Sequence, residues 1–227
     1  MKDILFDNNL FGFFITLFAY VFIYKYFKEK NILAFNPMVM VLVFLIGFLV
    51  VFKIPVEQYD RGASIWAYFL GPSTVALSVS LYKQVDRLKK HALPIIIGIT
   101  VGSAVGLLTV VLLSKAFGID KGLFYSLIPR STTMAIGTEI SKNIGGYVPI
   151  TTASIIIVGN LGNIFGEHIL KIAKIKEPTA KGLALGTSSH VFGTSKAMEI
   201  GEEEGAMSSL AIGVAGLITA VIIPFFI

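Results

Sequence analysis

The chain contains no cysteine, which excludes disulfides, thiolate catalysis and thiolate metal sites and leaves the redox compartment unread. It is almost as poor in charge: 15% of its 227 residues are Asp, Glu, Lys or Arg, against roughly 25% in a typical soluble domain. A water-soluble fold of this length has too much surface to cover with so few charges. The three histidines, His91, His168 and His190, are scattered and give no zinc spacing. No Gly-Lys-Ser phosphate loop and no His-Glu-x-x-His occurs, and Ser189 beside His190 is no nucleophile–base pair, because neighbours on a helix do not face each other. An enzyme, a cofactor and a metal site are therefore not expected. Met1 to Asn9 also lacks a basic n-region and a small-residue cleavage site, so the first apolar segment is expected to be retained.

What the chain has in abundance is apolar residues, 55% of the total. The net charge of +5 does not point to nucleic acid, because the basic residues cluster between apolar runs, as they do in cytoplasmic loops. A hydrocarbon core about 30 Å thick needs roughly 20 apolar residues to cross as a helix. Leu10 to Phe27, Asn36 to Phe52, Leu93 to Phe117 and Ser208 to Ile227 meet that test. Pro149 to Leu170 is long enough but carries Asn160, Asn163, Glu167 and His168.

Three further apolar segments are interrupted. Gly62 to Tyr82 breaks at Gly71-Pro72-Ser73-Thr74, and Gly122 to Ser141 breaks at Pro129-Arg130-Ser131-Thr132-Thr133. Gly182 to Met198 breaks at Gly186-Thr187-Ser188-Ser189-His190 and again at Gly193-Thr194. Proline removes a backbone donor and glycine weakens a helix. Irregular backbone survives at membrane depth only where protein or a wet cavity satisfies its polar groups. The pattern predicts an all-α integral membrane protein: a polytopic helix bundle, one domain over residues 1–227, with broken or re-entrant helices around a polar interior.

The two halves superpose without a gap at an offset of 115 residues, giving approximate repeats 1–112 and 116–227. Leu70-Gly71-Pro72-Ser73 falls on Leu185-Gly186-Thr187-Ser188, Gly47 on Gly162 and Gly98 on Gly213. Identities are sparse, so the coincidence of segment ends and breaks carries the repeat. The basic loop with Lys83, Arg87, Lys89 and Lys90 matches Glu199, Glu202, Glu203 and Glu204, and the near-neutral Lys53 to Arg61 loop matches Lys171, Lys174 and Lys176. Since Lys and Arg mark the cytoplasmic side, equivalent loops are expected on opposite faces, making the repeats inverted. If 122–141 enters and returns, seven crossings follow, with the N-terminus outside and the C-terminus inside. A plain eight-span bundle with parallel halves is the alternative. Broken segments at matching places of inverted halves point to a transporter binding site.

Arg130 sits within a broken membrane segment, where a charge costs about 2.5–3.5 kcal/mol on insertion scales. It reads either as an anion contact helped by Ser131, Thr132 and Thr133, or as a residue that snorkels or pairs with Glu139. Ser188, Ser189 and His190 precede a half-helix whose N-terminus suits a carboxylate, and Gly71, Pro72, Ser73 and Thr74 offer the mirror arrangement. The plainer reading is that these hydroxyls only pack helices. His190 is either a satisfied interior histidine or the carrier of a coupling proton. The Gly159, Gly162 and Gly166 stripe permits close helix packing, with Asn160 a further candidate ligand. Gly193 and Thr194, at the second interruption, complete the candidate substrate-binding set.

Several stretches together carry a resemblance: Leu70-Gly71-Pro72-Ser73-Thr74-Val75-Ala76-Leu77, Pro129-Arg130-Ser131-Thr132-Thr133, Ile140-Ser141-Lys142-Asn143-Ile144-Gly145-Gly146, Gly182-Leu183-Ala184-Leu185-Gly186-Thr187-Ser188-Ser189-His190, and Glu202-Glu203-Glu204-Gly205-Ala206. From about residue 30 onward the chain resembles the LrgB/CidB/YohK family of antiholin-like membrane proteins. The resemblance implies a multi-pass protein of the inner (plasma) membrane and a small holin-like LrgA/CidA partner. It also implies a role in murein hydrolase control and autolysis. Plant plastid relatives of that family move glycolate and glycerate, and some bacterial ones are linked to pyruvate uptake. The expectation is thus a carrier of small carboxylates, the alternative being an antiholin-like modulator of a holin-type pore without transport of its own; homo-oligomerisation is left open. Family members often carry lysine at Arg130, a change that keeps the charge and alters its geometry, and proline near Ala135, whose absence here leaves the exact kink of that segment open.

Overall fold

A computed structural model describes residues 8, 10–27, 37–69, 72, 75, 82, 86, 89 and 92–225. All regular structure among them is helical. They fall into two compact units, Met1–Ala76 and Leu77–Ile227.

In the first unit, α1 (Phe11–Phe27) and α2 (Pro37–Phe52) are short apolar helices, followed by α3 (Val56–Ala63) and a 3-10 turn at Ser64–Phe69. Ala19, Ile23, Val41 and Leu45 form their buried seam. A Cβ at Gly12 would overlap the Tyr59 carbonyl, so only glycine lets α1 and α3 approach this closely. The Thr16 and Tyr59 hydroxyls meet there at 2.8 Å, and Phe13 stacks on Trp66 with ring centroids 4.5 Å apart. Of the first interrupted segment, Pro72 is helical and exposed, while Gly71, Ser73 and Thr74 lie outside the described residues.

The second unit contains α4 (Ala92–Ala116), α5 (Lys121–Leu127), α6 (Met134–Ile144), α7 (Val148–Ile172), α8 (Pro178–Ile200) and α9 (Glu202–Ile222) with a terminal 3-10 turn. The helices Ala92–Ala116, Val148–Ile172 and Glu202–Phe225 are long and apolar enough to cross a membrane. Their surfaces are turned inside out relative to a soluble fold. Leu93, Leu112, Ile157, Ile169, Leu217 and Val221 are exposed, whereas Ser126, Ser141, Thr151, Thr194 and Ser208 are fully buried. A chain that faces hydrocarbon gains nothing by hiding leucine and must pair its hydroxyls internally.

The two interrupted segments of this unit are both helical hairpins. In the first, α5 runs inward, the chain turns through residues 128–133, and α6 returns. Its base is tied by hydroxyls: Ser126 Oγ accepts the Tyr147 N–H at 2.6 Å, and Thr151 Oγ1 lies 2.9 Å from the Ser126 carbonyl and 2.7 Å from Ser141 Oγ. Gly146 packs against the Ser126 and Tyr125 backbone. Gly122, at the start of α5, meets the ring of Tyr147 just past the end of α6, so the two share one end of the unit. The chain thus folds back on itself through residues 128–133.

The second hairpin is α8 itself. Its φ/ψ leave the helical region at Ser189 (−135°, 16°) and His190 (43°, −130°), dividing it into α8a (178–188) and α8b (191–200). The contacts show the halves side by side. Gly193 meets the Leu185 carbonyl and Ser189 Cβ, and Leu185 and Ala197 share a buried cluster with Ile200 and Ile175. On α7, Gly166 faces Leu185 and Gly162 faces Ser189, after which the order reverses: Gly159 faces Phe192 and Glu167 pairs with Lys196 at 3.3 Å.

Two expectations change in consequence. Gly182 to Met198 was counted as a crossing, but its ends lie at the same end of α7 and it makes no net passage. The loops around Lys171 to Lys176 and Glu199 to Glu204, assigned to opposite faces by charge, are neighbours. Lys181 lies 3.7 Å from Glu204, Thr179 donates to Glu203 at 2.9 Å, and Lys196 bridges Glu167 and Glu199. The acids balance the lysines locally; they do not mark a far face.

Candidate functional site

The hairpins enter the second unit from opposite ends and converge on Ile155, which is fully buried in α7. Its side chain packs against Gly137 of α6, and its carbonyl lies 3.0 Å from His190 Nε2. A carbonyl only accepts, so Nε2 carries the proton. This bond helps to hold His190 at a positive φ that non-glycine residues rarely adopt and that costs about 1–3 kcal/mol. Thr194 Oγ1 adds a 3.1 Å bond to the His190 carbonyl and meets Ser208 Oγ at 2.7 Å. Asn163 Nδ2 donates to the Phe192 carbonyl at 2.8 Å.

Beside the two tips lies a cavity of about 920 Å³, walled by α4, α7 and α8a and lined mainly by apolar groups. Glycine makes its α4 wall. Gly98, Gly102 and Gly106 lie four residues apart on one helix face and all line it, and a Cβ at Gly98 or Gly106 would meet nothing within 4 Å.

Arg130 reaches this cavity from the tip of the first hairpin. Its Nη1 and Nη2 both donate to the Gly106 carbonyl, at 3.3 and 3.2 Å. Gly106 lies about 15 Å from the end of α4 at about 1.5 Å per residue, close to mid-span. The pairing with Glu139 is not formed, and among the described residues Arg130 has no carboxylate partner. An arginine carries five N–H donors, so the guanidinium keeps donors free for an anion. Ser131 lines the same cavity, and so do Ser188 and Ser189 at the other tip, their hydroxyls 3.1 Å apart.

Within this unit, the remaining candidates do not line the cavity. Thr132 is buried and turned back to the Pro129 carbonyl at 2.7 Å. Thr133 is the N-cap residue of α6, and Asn160 donates to the Ile156 carbonyl of its own helix. His190, Gly193 and Thr194 hold the second hairpin in shape.

Two residues absent from the candidate set belong to the cavity. Ser103 and Thr187 both line it and are each only 9% exposed, and within the described residues neither hydroxyl oxygen has a hydrogen-bond partner. A buried hydroxyl without a partner costs about 1–3 kcal/mol. Ser103 lies one turn from Gly106 along α4, and a Cβ at Gly102 would come within 3.3 Å of the Thr187 methyl, so both share this cavity with Arg130. Thr187 was legible as part of the 186–190 interruption. Ser103 had no signal, because a lone serine in an apolar helix usually bonds its own backbone.

The sequence comparisons agree with this anatomy in their extent. The model of the LrgB-like family matches residues 16–227. Antiholin-like protein LrgB of Bacillus cereus (strain B4264) is 39% identical over 217 residues, covering 95% of this chain and 94% of that protein. The protein of the same name from Bacillus anthracis (strain A0248) gives the same identity and coverage. No solved structure matches. The match takes in every helix of the second unit, both hairpins included, and most of the first: the chain belongs to the LrgB-like family.

Proposed function

We propose that this protein is a carrier of small carboxylates of the pyruvate, glycolate or glycerate kind. In this reading it is a multi-pass protein of the plasma membrane and catalyses no reaction. It works in an LrgB-type system, with an LrgA/CidA-like partner, that bears on murein hydrolase activity and autolysis. The observation that carries the reading is the half-buried Arg130: among the described residues it has no acid to neutralise it, and it faces a mid-span cavity shared with the Ser188–Ser189 tip. Two hairpins dipping from opposite ends supply interrupted backbone where a carrier needs it. The carboxylate sits on the guanidinium, and the hydroxyls of Ser131, Ser188 and Ser189 take its remaining lone pairs. By the offset of 115 residues, Ser73 is the counterpart of Ser188.

Ser103 and Thr187 then read the oxygen on the carbon next to the carboxylate. Ser103→Ala and Thr187→Val are expected to raise the half-saturating concentration for glycolate about three- to tenfold, the worth of one neutral hydrogen bond. Acetate, which lacks that oxygen, is expected to be unaffected. Neither variant is expected to melt lower, because each removes a buried group that had no partner. Uptake competition and thermal melting check both points.

The test of the reading itself is saturable, competable uptake of labelled pyruvate or glycolate into vesicles holding the purified protein. Well-folded protein that moves no carboxylate sinks it. The relatives' name favours a second reading, an antiholin-like modulator of a holin-type pore. That reading requires leakage of unrelated solutes when the partner is present, insensitive to substitution of the cavity polar residues.

A further inference from the structure

A second, smaller cavity of about 310 Å³ opens at the base of the second hairpin, lined by Lys171, Lys174, Lys176 and Lys181 with Glu167 as the one acid. Two of the lysines are neutralised: Lys171 pairs with Glu167 at 2.7 Å, and Lys181 lies 3.7 Å from Glu204. Lys174 and Lys176 are exposed and, among the described residues, have no ion-pair partner. Leu170 and Ile175 line both this cavity and the large one.

We propose that this basic recess is an oxyanion-binding vestibule, in which Lys174 and Lys176 collect a carboxylate or phosphate group at the mouth of the carrier cavity. The substrate arm of this inference rests on the carrier reading; occupancy of the recess does not. Two unpaired cations at a low-dielectric opening raise the local concentration of anions before any specific contact is made. Because they are exposed, the effect is screened by salt.

Backbone geometry supplies a clean substitution. Lys174 is the left-handed residue (φ 57°) ending α7, with Ile175 N–H donating to the Leu170 carbonyl and Lys174 N–H to the Lys171 carbonyl. The same turn after α4 uses Gly118, where Ile119 N–H reaches the Ser114 carbonyl. Glycine is the residue such a helix end prefers. Lys174→Gly therefore removes the charge while easing the backbone, and Lys176→Gln is the second variant.

The first measurement is the rate of amine acylation at Lys174 and Lys176 in the full-length protein, held in phosphatidylcholine bilayers with and without pyruvate, and in bilayers containing phosphatidylglycerol. Slowing by pyruvate in the zwitterionic bilayer is the expected result. Slowing only by phosphatidylglycerol supports the oxyanion site but assigns it to a lipid headgroup. Unchanged rates in both overturn the vestibule. The second measurement is uptake. Each variant is expected to raise the half-saturating carboxylate concentration about two- to threefold at low ionic strength, with the maximal rate unchanged and the difference lost in high salt. Wild-type protein that binds pyruvate at this recess yet transports nothing refutes the carrier and leaves the recess. Transport by wild type with unaltered Lys174→Gly and Lys176→Gln kinetics refutes the recess as a substrate vestibule and leaves the carrier.

Discussion

Arg130→Gln is expected to abolish saturable carboxylate uptake, lowering its efficiency about 100-fold or more, while the protein melts no lower than wild type. The size follows from the bonds at stake. Hydrogen bonds to a charged group contribute about 1.5–3 kcal/mol each, and every 1.4 kcal/mol is a factor of ten in affinity. A carboxylate gripped by two guanidinium N–H groups away from water therefore loses at least two orders of magnitude. The stability forecast has the opposite sign. The only acceptor that the Arg130 guanidinium meets among the described residues is the Gly106 carbonyl, which lies inside a helix. Removing a mid-span cation relieves a cost of about 2.5–3.5 kcal/mol on insertion scales. Arg130→Lys keeps the charge but offers a compact ammonium in place of a planar fork, so a partial loss of about tenfold is expected. Vesicle uptake read beside thermal melting separates the cases. Normal uptake by Arg130→Gln would remove the anion site from this cavity, whatever else the protein does.

The sequence showed the broad architecture because hydrocarbon imposes it. Uninterrupted apolar runs of about 20 residues had to be helices, and the polar interruptions had to be internal. The interruptions at 129–133 and 186–190 are indeed where the chain turns, and Arg130, Ser131, Ser188 and Ser189 do reach one cavity. Sequence could not show that α8 folds back on itself. Gly182 to Met198 is as long as a span, and its reversal rests on two residues, Ser189 and His190, whose φ/ψ no composition rule anticipates. The charge pattern then misled. The glutamates at 199–204 looked like the opposite face from Lys171, Lys174 and Lys176, when Lys181, Lys196 and Thr179 bind them across the base of a hairpin. Thr132, His190 and Thr194 shared a motif with cavity residues but use their polar atoms on the protein itself. Adjacency in sequence gave the hairpin tip; only geometry sorted which members face the cavity.

If reversal at Ser189–His190 organises the site, the glycine where the two halves of α8 touch should be among the least tolerant in the unit. Gly193→Ala is expected to lower the melting temperature by several degrees and to bring uptake near background. The added Cβ would overlap the Leu185 carbonyl and crowd Ser189 Cβ. Neither can swing away as a long side chain could, because one is backbone and the other is anchored beside a strained His190. Overpacking of a rigid site costs about 1–3 kcal/mol, and the strain here is relieved only by parting α8a from α8b, which displaces Ser188 and Ser189 from the cavity. Gly213→Ala is the matched control, since Gly213 lies on α9 away from the cavity lining, its Cβ would meet nothing within 4 Å and alanine gains up to about 1 kcal/mol over glycine inside a helix. It is expected to melt at or above the wild-type temperature and to keep transport. Should both alanines behave alike, the halves of α8 are not packed against each other in the working protein. The segment would then revert to a spanning helix, and the loops bearing Lys174 and Glu202 would return to opposite faces.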